Sequence, residues 1–236
     1  MQFMWVAVII FVVAVIQSVA GFGTALVGMP LLVTVVGFGI ASPLVAMIGL
    51  TLEAVILIRY HADVNFTVVW RLILAAVVGV PLGILAIKRL DEQLVLTLLG
   101  VIIVAYAIYG LLNLTLPHLE GNGWAYLAGF LSGVLGGAYN TAGPPVAIYG
   151  NCRRWPPDVF RGNLQGFFLA VDLVVVANHT AVGNVTRSVL QAYAVSLIPL
   201  FAGFLVGTAL AKRVAPAVFS RIVLVMLVLV GLRLVF

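Results

Sequence analysis

The chain has 236 residues, 64% of them hydrophobic and 8% charged, with a mean hydropathy of +1.26 and a formal net charge of +5. So little polar surface cannot cover a water-soluble globule, which leaves an integral membrane protein with the lipid bilayer as its solvent and no room for a separate soluble domain. The 12 basic against 7 acidic side chains cluster in short loops, a membrane-topology pattern rather than the basic face of a nucleic-acid-binding domain. A single cysteine, Cys152, allows no intramolecular disulfide and has no metal-ligand spacing around it, so it reads as a bystander at a loop edge.

Residues 3–38 carry no charged side chain. As one helix this segment would reach about 54 Å, against a hydrocarbon thickness of about 30 Å. It must break or fold back, and Gly21-Phe22-Gly23 is the place. A cleaved signal peptide is not expected, since no basic n-region precedes so long an apolar run. A second span at 43–59 holds one acid, Glu53, near its middle. The loop 60–65 leads to a third span at 67–87, which closes on Lys88-Arg89 and Asp91-Glu92. A fourth span covers 94–112, and 113–122, with Gly, Pro, His118 and Glu120, reads as a linker.

The stretch 135–150, LGGAYNTAGPPVAIYG, follows within the segment 124–150. Tyr139, Asn140 and Thr141 run into Gly143, Pro144 and Pro145, and no continuous helix passes through that sequence, because each Pro removes a donor and clashes with the preceding turn. In hydrocarbon such a break is tolerated only where it is buried in protein or lines a cavity. Arg153-Arg154 ends the segment. A span at 159–178 carries Gln165 and the lone acid Asp172, a span at 189–211 ends on Lys212-Arg213, and 216–236 is the last.

The sequence repeats itself. A displacement of 124 residues superposes Gly79, Gly83, Lys88 and Arg89 on Gly203, Gly207, Lys212 and Arg213, so a small-xxx-small face followed by a basic pair recurs as a unit. At 119, Asn65 and Thr67 fall on Asn184 and Thr186, and Glu53 falls on Asp172. At 115, Gly28 and Pro30 of GFGTALVGMP fall on Gly143 and Pro145. The expected fold is all-α and polytopic. It has two homologous halves of about four helical segments, 1–112 and 123–236 with 113–122 between them, and the first segment of each half is broken. Re-entrant hairpins and inverted halves are favoured, because the first segment is too long for one crossing.

These residues resemble the TauE/SafE sulfite exporter family, also called toluene-sulfonate uptake permeases. The resemblance is carried by GFGTALVGMPLL, RYHADVNFTVVWRL, GVPLGILAIKRL, GVLGGAYNTAGPPVAIYG and VFRGNLQGFFLAVDLVVV, and so covers essentially the whole chain. It departs at Thr24-Ala25, where further glycines are usual. The resemblance implies a bacterial-type inner-membrane transporter of sulfite, sulfonates, sulfoacetate or other small anions.

Broken helices at matching places in two halves point to a transporter's binding site, and each ends in unpaired N–H groups that attract anions. The candidate substrate site therefore lies between the two breaks and takes Gly21, Gly23 and Thr24 from one and Tyr139, Asn140, Thr141, Gly143 and Pro144 from the other. The plainer alternative is that these residues only bend a helix for packing. Glu53 and Asp172 are the only acids deep in predicted spans. An intramembrane carboxyl costs about 2.5–3.5 kcal/mol on insertion scales, so each faces a cavity or a partner, either carrying a coupling proton or bonding a neighbouring helix. An anion gains or loses about 2.3 kcal/mol per charge per 100 mV, so inward accumulation needs a compensating cation whereas export runs downhill. Arg161 either attracts the anion or snorkels at a helix end.

No enzyme is expected. HExxH and CxxC are absent, the glycines at 21 and 23 lack the third of a dinucleotide fingerprint, and no Ser–His or Cys–His pair shares a depth. No catalytic residue, cofactor or metal is assigned. An anion channel or passive uniporter is the other class of reading. The positive-inside rule places both termini outside with Arg153, Arg154, Lys212 and Arg213 in the cytoplasm. Hairpins add Arg59 and Arg71 to that face; full crossings add Lys88 and Arg89.

Overall fold

The computed structural model describes residues 2–87, 89–112, 116–213 and 216–235. Its described residues form ten α-helices: α1 (Gln2–Ala20), α2 (Thr24–Val36), α3 (Phe38–Tyr60), α4 (Phe66–Ile87), α5 (Glu92–Leu111), α6 (Gly123–Tyr139), α7 (Gly143–Cys152), α8 (Pro157–Ala181), α9 (Arg187–Leu210) and α10 (Pro216–Val235). Lys88 of the first basic pair, residues 113–115 of the expected linker and Phe236 lie outside the described residues. Each expected span is a helix, and α3, α4, α5, α8 and α9 are long and apolar enough to cross a bilayer.

Both segments expected to break do so, at 21–23 and 140–142. A Cβ built on Gly28 of α2 would lie 3.6 Å from the Val13 side chain of α1. Along one continuous helix those residues would be about 22 Å apart, so the chain folds back. α2 and α7 have 13 and 10 residues, which reach about 20 and 15 Å and fall short of about 30 Å of hydrocarbon.

One expected correspondence is corrected. The breaks at 21–23 and 140–142 lie 119 residues apart, so Thr24 matches Gly143, and the alignment of Gly28 and Pro30 with Gly143 and Pro145 pairs unlike places. Pro30 sits inside α2, whereas Pro144 and Pro145 occupy the first turn of α7, where a missing N–H removes no helical bond.

The chain divides into two compact units, the division falling inside α3: residues 1–48, 90–114 and 183–236, and residues 49–89 and 115–182. In the first unit α9 packs on α1. A methyl on Gly203 would run into the Phe11 carbonyl and Ala14, and one on Gly207 into Ser18 and Val15. Also in this unit α5 crosses α10 where Gly100 and Gly231 each meet the other's carbonyl. In the second unit α4 packs on α6, with Gly79 and Gly83 against Phe130 and Val134, and Gly129, Gly133 and Gly137 against Leu72, Ala76 and Val80. Lipid supplies no hydrophobic force between helices, so close backbone approach through glycine is what holds such pairs. The glycine pairs that recur in the sequence thus both lie at close helix contacts, α4 on α6 and α9 on α1. Side chains such as Leu85, Ile198, Leu205 and Leu229 are exposed and suit contact with lipid.

Candidate functional site: two broken helices and a carboxyl pair

In the second unit, α6 ends by turning Asn140 into the left-handed region (φ 56°). The Asn140 N–H donates to Gly136 O at 2.8 Å, the 5→1 bond of a left-handed helix cap, and the Thr141 N–H reaches back to Leu135 O at 3.2 Å. Asn is one of the few residues with a Cβ that enter this conformation readily. Tyr139, Asn140 and Thr141 are buried. Thr141 Oγ1 donates to the Tyr139 carbonyl at 3.0 Å, so its hydrogen is held by the backbone rather than offered to an anion, a local bond that short polar side chains form wherever a helix stops. The four groups opening α7 are Ala142, Gly143, Pro144 and Pro145. Only the first two carry an N–H, which halves the donors a helix start normally presents.

The same unit brings Glu53 of α3 and Asp172 of α8 together. Their exposures are 4% and 8%, and the two carboxyl groups face the same glycine. Two carboxylates this close in an apolar span repel when both are ionised, so the pair is suited to holding a proton. Both lie over Gly49: a methyl there would run into Asp172 Oδ2 and would stand 3.7 Å from Glu53 Oε1. Glu53 Oε2 is buried with no hydrogen-bond partner. A Cβ built on Gly136 would lie 3.1 Å from Val171 and 3.2 Å from Ala142. The turn of α8 that carries Asp172 is thus level with the break between α6 and α7.

Arg161 lies elsewhere. Its Nη1 donates to Tyr60 Oη at 3.0 Å, and its guanidinium stands 5.8 Å from the ring centroid. Eleven residues of α8 separate it from Asp172, about 16 Å along the axis. Arg59 stands 5.6 Å from the same ring, Arg153 Nη1 donates to Leu119 O at 2.7 Å, and Tyr149 packs edge-on against Trp155. Arg59 and Arg161 thus share the Tyr60 ring at one end of this unit.

In the first unit, the break between α1 and α2 uses glycine at both ends, Gly21 at φ 81° and Gly23 at φ 122°. Thr24 opens α2, is 5% exposed, and donates its N–H to Gln17 Oε1 at 3.0 Å. Thr24 Oγ1 is buried without a partner.

Sequence reasoning missed Gln17, which is 1% exposed; the available signal was an amide in an otherwise apolar run, seven residues before Thr24. It also missed Ser132 and Asn163, both fully buried. Asn163 Oδ1 accepts from the Asn65 N–H at 2.7 Å, while its Nδ2 and Ser132 Oγ find no partner. Cys152, expected at a loop edge, is the buried last residue of α7, and its carbonyl accepts from Leu119 N at 3.3 Å.

Apolar helices of spanning length, two short folded-back helices and polar groups buried at their breaks define a polytopic membrane protein built on the plan of a transporter. The family model of the sulfite exporter TauE/SafE matches residues 6–234, and the chain belongs to that family of membrane transporters. No curated protein and no solved structure matches the chain.

Proposed function

We propose that this protein is a secondary transporter of a small sulfur-containing or organic anion, such as sulfite, a sulfonate or sulfoacetate, and that its transport is coupled to protons. The observation that carries the reading is the pairing of buried breaks with helix starts, α2 with its buried Thr24 and α7 with Gly143, in a chain of this family. Gly21, Gly23 and Thr24 contribute at one break; Tyr139, Asn140, Gly143 and Pro144 contribute at the other, with Thr141 acting through the cap it ties. Arg161, held on Tyr60 at the basic end, attracts anions toward the protein without touching the bound one.

The proton resides on Glu53 and Asp172. A pair that shares one proton, level with a break where substrate binds, loads and releases it in step with the anion. The two repeats, 1–112 and 123–236, each contribute one carboxyl. Each repeat has five helices, and helices of alternating direction in odd number invert the second repeat. By the positive-inside rule the end bearing Arg59, Arg71, Arg153 and Arg161 is cytoplasmic, the membrane is the inner membrane, and both termini are outside. Labelling from the cytoplasm of a cysteine placed at position 88 would reverse this orientation of α4.

A thermal-shift series with sulfite, thiosulfate, sulfonates and carboxylates tests the anion. Anions stabilise the purified protein if the reading holds; stabilisation by cations or neutral solutes alone sinks it. Coupling is tested in proteoliposomes under an imposed pH step at clamped voltage. Glu53→Gln and Asp172→Asn each retain anion-dependent stabilisation and lose the response of flux to the pH step. If the double variant keeps the full response, the acids are structural and a passive uniporter becomes the better reading.

A further inference from the structure

The hydrogen bond between Thr24 N and Gln17 Oε1 is an unusual use of a buried amide. Gln17 is on α1, four residues before the break, and its own carbonyl already accepts from the Gly21 N–H at 2.8 Å as the helix ends. Its side chain then continues past the break to place an oxygen on the first N–H of α2, 3.0 Å away. That N–H lies at the positive end of a 13-residue helix whose axial dipole favours negative charge there. Beside it stands the Thr24 hydroxyl, 95% shielded from solvent and with no hydrogen-bond partner. A donor occupied by a neutral oxygen, next to a hydroxyl that no protein group satisfies, is the arrangement a small oxyanion would complete.

The geometry points to Gln17 as an internal competitor: its amide oxygen holds the anion subsite at the start of α2, and a substrate oxygen binds there by displacing it from the Thr24 N–H. This deepens the anion-transport reading and rests on it. A neutral amide oxygen is a suitable occupant because it satisfies the buried N–H yet is a weaker partner for the helix end than a charged oxygen. A carboxylate at the same place, on a side chain of nearly the same length, would bond the N–H more strongly and would not yield. The second break offers a contrast within its own unit: position 136, which corresponds to Gln17, is glycine and has no side chain to reach across.

The experiment compares wild type, Gln17→Ala and Gln17→Glu as purified full-length proteins, using sulfite and methanesulfonate as probes in the thermal-shift titration. Removing the competitor should tighten probe binding several-fold in Gln17→Ala. A tethered carboxylate should weaken it ten-fold or more in Gln17→Glu, while the melting temperature of that variant without probe equals or exceeds that of wild type. Unchanged affinity in Gln17→Glu overturns the proposal and leaves Gln17 a simple helix cap, as does a Gln17→Ala protein that folds and binds more weakly than wild type. If Gln17→Ala does not fold, Gln17→Glu decides alone. Wild type that gains no stability from any anion would instead overturn the transport reading itself, and the competitor role would fall with it.

Discussion

The two breaks begin alike and end differently. At each, the first residue after the helix is left-handed, Gly21 at φ 81° and Asn140 at φ 56°, and its N–H donates 2.8 Å to a carbonyl four residues back. Beyond that point the first break has Gly23 at φ 122° and a helix start of Gly23, Thr24, Ala25 and Leu26, every one of which carries an N–H. The second has Ala142 in the helical region and two prolines that remove half the donors. One break is thus rich in backbone donors and poor in side chains. The other is lined by Tyr139, Asn140 and Thr141 and lies level with a carboxyl pair. The two breaks share their opening turn and differ beyond it; on the function proposed above, anion recognition is weighted toward the first break and proton handling toward the second.

The largest effect should come from removing the backbone freedom of the first break. Gly23→Ala forces a Cβ into φ 122° and within 3.4 Å of Ile16, and strain of this kind costs about 1–3 kcal/mol. The expected result is a lower melting temperature and a lower yield of folded protein, while Ala142→Gly at the matching position of the second break changes both little. Equal losses in the two variants would mean that the breaks share one backbone after all.

Much of this architecture is legible in the sequence. Apolar run length set the helices, because a span must match the hydrocarbon, and the uncharged 3–38 segment could not remain unbroken. The recurring glycines at 79, 83, 203 and 207 marked the tightest helix contacts. Three things were not legible. Sequence spacing matched Gly28 and Pro30 to Gly143 and Pro145, because a proline reads as a breaker whether it opens a helix or sits inside one. Thr141 looked like a ligand donor, since whether a hydroxyl bonds its own turn depends on torsions that sequence does not show. Gln17 went unnoticed because its importance lies in reaching across a break. The pairing of Glu53 with Asp172 stood between these cases: the repeat marked them as equivalent, and only packing over Gly49 brought them into contact.

Asn140 gives a smaller effect and separates backbone from side chain. Asn140→Ala meets the left-handed penalty of about 1–2 kcal/mol, so weakened binding in that variant mixes two causes. Asn140→Gly keeps the conformation and removes only the amide. Its melting temperature should stay near that of wild type while anion-dependent stabilisation falls several-fold. If Asn140→Gly binds as wild type does, Asn140 is a cap alone, and the side-chain contribution of the second break reduces to Tyr139 and the two acids.

The smallest effect concerns the missing donors at α7. Pro144→Ala restores one N–H at the second residue of a helix whose start is buried. Proline is tolerated there because that N–H has no partner within the helix, so replacing it leaves no broken bond and shifts stability by about 0.4–1 kcal/mol through the unfolded chain. A new donor strengthens binding only if the anion reaches it. Sulfite titration of Pro144→Ala should therefore give an affinity within about two-fold of wild type if recognition is centred on α2, where four N–H groups already open the helix. A gain approaching ten-fold, about 1.4 kcal/mol, would show that an anion engages the N–H groups of α7. The division of labour between the breaks would then have to be given up, with the prolines read instead as a device that keeps binding weak enough for release.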